Sequence, residues 1–150
     1  MNLQLTYYQS MILSMNRGRK NGITSNAKPL YLLTLINLIG NGKIINNRIP
    51  FSDSIVSRYA ELCAKFEPQK TITPMYRPFY YMNSEIFYSI QWKSNSKAKG
   101  AANIPSSKFI RENIEYAKLD DDLWQLLQNE EARNEIKETI INYFINPNKE

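Results

Sequence analysis

Between Leu30 and Ile39 the chain reads Leu-Tyr-Leu-Leu-Thr-Leu-Ile-Asn-Leu-Ile, an apolar run interrupted only by Thr34 and Asn37. Wound at helical pitch, these side chains face every direction. A helix without a polar stripe is stable in water only when other elements surround it. Pro29 suits the first helical turn, where its missing N–H would have had no partner, and Gly40-Asn41-Gly42 provides the stop. The expectation is a central buried helix, with the remaining chain folded around it as a shell. A length of 150 residues, 43% of them hydrophobic, is enough for one domain with a real core. Even the run at Leu30 falls well short of the roughly 20 apolar residues that span a bilayer. Met1-Asn2-Leu3-Gln4 lacks the basic segment ahead of an apolar one that marks a secretory signal. A cytoplasmic protein without membrane contact is therefore expected.

The shell is read from periodicity and punctuation. Leu5, Tyr8, Met11, Ile12 and Met15 recur every three or four residues and predict a helix over Leu3 to Met15. From Asn16 to Ala27 the chain holds two glycines and three cations and little that packs in a core, so it reads as a surface loop. Ile44-Ile45 and Arg48-Ile49 predict a short extended stretch across a turn. Ser52 suits the cap of a helix over Asp53 to Phe66, with Ile55, Tyr59, Leu62 and Phe66 facing inward. Cys63 shares that register and, as a lone cysteine, is expected in the core.

After Pro68, Pro74 and Pro78, the runs Phe79-Tyr80-Tyr81-Met82 and Ile86-Phe87-Tyr88-Ser89-Ile90 read as a hairpin of two aromatic strands. Helix, helix, short strand, helix and hairpin is the order of a winged helix. Lys93 to Ser107 is polar and basic and reads as a mobile loop. Three helical signals follow, at Ser107 to Tyr116, Asp120 to Gln128 and Glu130 to Phe144, with Asp120-Asp121-Asp122 complementing a helix N-terminus. The expected fold is α+β and predominantly helical. It combines a winged-helix-like half with an aromatic β-hairpin (1–92), a basic loop (93–106) and an acidic helical subdomain (107–150), packed as one compact unit.

Charge and one missing residue type bound the function. Residues 1–100 carry 13 Lys/Arg against 4 Asp/Glu, whereas residues 101–150 carry 6 against 10. A basic front and an acidic back favour a polyanion on one side. The chain has no histidine, which removes the HNH nuclease site, histidine triads and every metal site built on imidazole. No cofactor, metal or catalytic residue is expected. A carboxylate-metal nuclease lacks a constellation, because the basic half holds only Asp53, Glu61, Glu67 and Glu85, with no acidic pair followed by a spaced lysine.

Three groups of residues are candidates for nucleic-acid contact. Arg17, Arg19 and Lys20, with Asn26 and Lys28, form a loop in which guanidinium groups fork onto phosphate oxygens or onto guanine O6 and N7. Tyr76, Arg77, Pro78 and Tyr80 set a cation among aromatic faces that stack on a base, a sugar or an apolar substituent on phosphate. Lys93, Lys97 and Lys99 supply sequence-independent phosphate contacts from a flexible loop.

Several of these segments, taken in order, resemble a known family. Lys28-Pro29-Leu30-Tyr31-Leu32-Leu33-Thr34-Leu35-Ile36-Asn37-Leu38-Ile39, Asn47-Arg48-Ile49, Pro78-Phe79-Tyr80-Tyr81-Met82, Leu119-Asp120-Asp121-Asp122-Leu123-Trp124 and Tyr143-Phe144 resemble the N-terminal DNA-recognition region of restriction-type HNH endonucleases. That region includes the DNA sulfur-binding domains that read phosphorothioate-modified DNA. The resemblance implies a targeting module for a restriction or defence-type system, with DNA as its partner. The chain closes at Asn148-Lys149-Glu150, so no nuclease domain is expected within it and a separate nuclease or effector polypeptide is the implied second partner. Where sulfur-binding relatives carry a Tyr-Pro step and then a small residue, this chain has Arg77-Pro78 followed by Tyr80 and Tyr81. A different class stays open beside this one: a protein-interaction or regulatory subunit that keeps the fold without touching DNA.

Overall fold

In a computed structural model of the chain, which describes residues 2–20, 22–98 and 105–145, the apolar run becomes α2, Ala27–Gly40. Every residue from Pro29 to Ile39 is buried except Asn37. Thr34 satisfies its hydroxyl locally, donating to the Leu30 carbonyl at 2.8 Å, as a polar side chain inside a buried helix must. Around α2 pack α3 (Asp53–Phe66), α4 (Tyr76–Tyr81) and α7 (Glu130–Ile140). The first helix, α1 (Leu3–Leu13), lies on α7, and Gln9 donates to Thr139 across that interface at 3.0 Å. Both α1 and α3 are capped by the preceding side chain: Asn2 accepts from the Leu5 amide and Ser52 from the Ile55 amide. The architecture is α+β and predominantly helical. Among the described residues, no helix is long and apolar enough to cross a membrane.

Among the described residues, two small antiparallel pairs supply the strands. The segment expected as an open loop contains β1 (Arg19–Lys20) and β2 (Ile23–Thr24), with Gly22 at a positive φ of 78° that favours glycine. The second pair joins β3 (Tyr88–Trp92) to β4 (Ile114–Leu119), with Tyr88 opposite Leu119 and a bulge between Gln91 and Trp92. Ile49 bridges to Ala117 on the outer side of β4 through bonds of 2.7 and 2.8 Å. Asn47 extends that edge with its side chain, bonding both the amide and the carbonyl of Leu119.

The expected aromatic hairpin does not form, and with it the wing of the winged helix is lost. Residues 76–81 are helical because their burial follows helical spacing: Met75, Phe79 and Met82 face the core at i, i+4 and i+7. Pro78 falls in the first turn, where no intrahelical N–H is required. Four successive apolar residues carry no period-two alternation, so only the surroundings choose between helix and strand. Strand β3 finds its partner across the chain in β4. That strand in turn shortens the helix expected over Ser107 to Tyr116, which ends as α5 at Asn113. Residues 114–119 bury Ile114, Ala117 and Leu119 against the core, and their pairing with β3 outweighs the helical signal.

After β4, α6 (Asp121–Leu126) precedes α7, and a π-helical turn over Ile141–Ile145 ends the described chain. Asp121 and Asp122 occupy the first turn of α6, as the helix dipole favours. Asp120 at the cap position makes no capping bond; its carboxylate accepts from the Tyr8 hydroxyl at 3.1 Å. Burial, and then this neighbouring carboxylate, push the Tyr8 hydroxyl up to about 12.

Two hydroxyls pin β3 to the helices. Tyr31 and Tyr88 meet at 3.0 Å, and Tyr88 also donates to the Phe79 carbonyl at 2.7 Å. With its only proton spent on Phe79, Tyr88 accepts from Tyr31. Tyr88→Phe leaves a buried donor and a buried carbonyl unmatched, at a cost of about 1–3 kcal/mol. Tyr31→Phe leaves only a spare lone pair and costs less. Urea unfolding of the two variants checks the order, and equal losses would contradict the assigned donor direction.

Candidate nucleic-acid interface

One cleft brings two of the three candidate groups together. It encloses about 1040 Å³ and is lined by Arg17, Arg19, Asn26 and Lys28 from the loop and α2, and by Arg77 and Pro78 from α4. The end of α3 and the segment at 70–74 complete it, contributing Tyr59, Cys63, Glu67 and Thr71–Pro74. The Tyr59 hydroxyl donates to the Thr73 carbonyl at 2.8 Å and holds that segment on α3. Cys63 is buried, as its helical register predicts, and burial pushes its thiol up to about 11. It therefore belongs to the floor as an inert apolar surface rather than as a nucleophile.

Within this cleft the polar candidates divide into those already engaged and those free. Asn26 is buried and fully committed: its amide donates to Glu67 at 2.8 Å and to the Phe144 carbonyl at 3.0 Å, and its oxygen accepts from Arg17 at 2.8 Å. The Arg17 guanidinium also lies over the Phe144 ring, 4.7 Å from its centre. Lys28 forms a buried ion pair with Glu85 at 2.7 Å. The same Glu85 oxygen accepts from the Asn16 amide at 3.1 Å. These three residues organise the cleft and are held by the protein itself.

Arg19 and Arg77 are different. Both are exposed, and neither makes an ion pair or side-chain hydrogen bond among the described residues; the Arg77 guanidinium lies over the ring of Tyr76, 5.9 Å from its centre. Lys20 lies beside Arg19 in β1. Each of the four carboxylates in the first hundred residues is matched by a cation: Glu85 by Lys28 at 2.7 Å, Glu61 by Arg58 at 3.3 Å, Glu67 by Lys70 at 3.0 Å and Asp53 by Arg111 at 3.1 Å. Among the described residues, no further carboxylate forms an ion pair with a cation of the leading half. The N-terminus of α2 lies at the same cleft and adds the positive end of a helix dipole.

The remaining candidates lie elsewhere. Tyr76 and Tyr80 do not line the cleft; Tyr80 packs edge-on against Trp92 and Phe109 in a separate aromatic cluster. Helical geometry explains this, because Arg77 and Tyr81 share one face of α4 and Tyr76 and Tyr80 another. Tyr81, which is exposed, lines the cleft where the candidate Tyr80 does not. Lys93 donates to the Arg111 carbonyl at 2.6 Å, Lys97 is exposed, and Lys99 lies outside the described residues. The sequence reading missed Ile23, Ile72 and Tyr81, apolar side chains that are exposed yet line the cleft. For Ile23 and Ile72 the only sequence signal is apolar character within polar surroundings, and Tyr81 is one of the aromatic run Phe79-Tyr80-Tyr81. No three His, Cys, Asp or Glu side chains gather to hold a metal among the described residues.

Comparison of the chain with protein-family models and with curated proteins yields no match, so the functional reading rests on these residues.

The division between engaged and free cations has a direct consequence. Lys28→Ala strands a buried carboxylate and is expected to lower stability by about 3 kcal/mol, whereas Arg19→Ala stays within about 0.5 kcal/mol of the parent. Chemical denaturation of the two variants measures this. Equal, small effects would show that Lys28 is not structural.

Proposed function

We propose that the chain is a DNA-recognition module that docks the rim of this cleft on a duplex and performs no chemistry itself. The observation that carries the proposal is the convergence of Arg19 and Arg77, from segments almost sixty residues apart, on one cleft where neither makes an ion pair or side-chain hydrogen bond among the described residues. Uncompensated guanidinium groups gain most from phosphate, and an anionic partner replaces the counterions they would otherwise hold. The acidic C-terminal helices lie on the other side of the charge balance and disfavour a phosphate backbone there.

The ordered motifs from Lys28 to Phe144 support a restriction or defence setting, in which a separate nuclease or effector polypeptide supplies cleavage. They also support modified DNA, including phosphorothioate DNA, as the ligand. A binding panel of plain, methylated, glucosylated and phosphorothioate duplexes tests that part. Equal affinity for all four would remove it.

One observation favours the protein-interaction reading: Arg17 and Lys28, two of the cations expected to touch DNA, are committed to internal contacts. Salt separates the two readings. Affinity for duplex DNA is expected to fall linearly on a log–log plot against salt, and Arg19→Ala with Arg77→Ala to reduce the slope by about 2. Arg133→Ala with Lys137→Ala is expected to leave the slope unchanged. A protein that binds no duplex at low salt would support the protein-interaction alternative.

A further inference from the structure

The DNA reading leaves the interior of the cleft unused. A phosphodiester backbone is convex and charged, so it reaches the arginines at the rim without filling a concavity. Yet the cleft runs inward to Leu30, Tyr59, Cys63 and Pro78, a largely apolar floor. At about 1040 Å³ it lies at the upper end of the roughly 300–1,000 Å³ of sites that enclose drug-sized ligands. Apolar walls gain from burial only against apolar matter. In DNA the largest apolar surface is the face of a base, which becomes available only when the base has left the stack.

A second feature lies at the same opening. Ile23 on β2 is 62% exposed and lines the cleft. It directly follows Gly22, whose positive φ turns the chain at that point. A large aliphatic side chain held out on a hairpin beside a cationic rim has the form of the wedges that other DNA-binding proteins insert between base steps.

We propose, resting on the DNA reading above, that the cleft accepts a single unstacked nucleotide. Its base lies against the apolar floor, its flanking phosphates meet Arg19 and Arg77, and Ile23 fills the vacated position in the stack. No bond is made or broken; the free energy of binding offsets the loss of stacking and pairing, which is smallest at a mismatch.

The test uses the full chain and a duplex carrying 2-aminopurine at a mismatched position, where stacking quenches the fluorescent base. Saturating protein is expected to raise its emission severalfold, and the mismatched duplex to bind about tenfold more tightly than the matched one. Ile23→Ala changes an exposed side chain, and Thr71→Trp places a bulky ring in the cleft from an exposed wall position. Both are expected to keep binding to matched duplex while losing the emission rise and the mismatch preference. Salt-dependent binding with neither signal in the parent protein would overturn the unstacked nucleotide and leave the DNA reading in place. Loss of both signals in neither variant would overturn the assigned cleft. Absence of binding to either duplex would overturn both proposals.

Discussion

The burial of α2 is the constraint on which the rest of the structure depends. Ten of its side chains are buried, so between Pro29 and Ile39 only Asn37 is left to water, and α3, α4 and α7 all close upon the helix. Each of these neighbours is amphipathic or short, unable to hide its own apolar face alone. The arrangement is therefore mutual. The cleft opens where α2 begins, so the candidate site is built against a helix with ten buried side chains.

Electrostatics then divides the cations by depth. Where a charge is buried, as at Lys28 and Glu85, the pair survives because further donors meet the same carboxylate, and removal of one member leaves the other stranded. Around Asn26 the same logic joins three distant segments: the loop through Arg17, the end of α3 through Glu67, and the terminal π-turn through Phe144. Such a network fixes position rather than contributing much net stability. What remains outside it is a small set of guanidinium groups with unspent hydrogen-bonding capacity. Their isolation is a product of the folding of their neighbours.

The aromatic segment shows how local pattern and tertiary context part company. Phe79-Tyr80-Tyr81-Met82 satisfies the composition of a strand as well as that of a helix turn, and β-propensity largely reports how a side chain packs on its neighbours. The neighbours here are α2 and α5, which receive Phe79 and Tyr80 at helical spacing. Tyr88, by contrast, is extended because β4 lies alongside it. No pattern within either segment names that partner, since pairing between 88–92 and 114–119 depends on the path of the chain between them.

The sequence by itself determined the elements whose signals are local and mutually consistent: the all-round apolar helix at Leu30, the Ser52-capped helix ending at Phe66, the core position of Cys63 and the basic excess of the leading half. Hydrophobic period, capping and charge are properties of neighbours along the chain, and they can be read there. Only the tertiary structure decided that Arg77 faces the same cleft as Arg19, that Tyr81 rather than Tyr80 lines it, and that Asn26 and Lys28 are held by Glu67 and Glu85. Those outcomes are contacts between residues far apart in sequence. They are set by which faces the core leaves open once the apolar side chains have been buried, and that is a property of the whole fold.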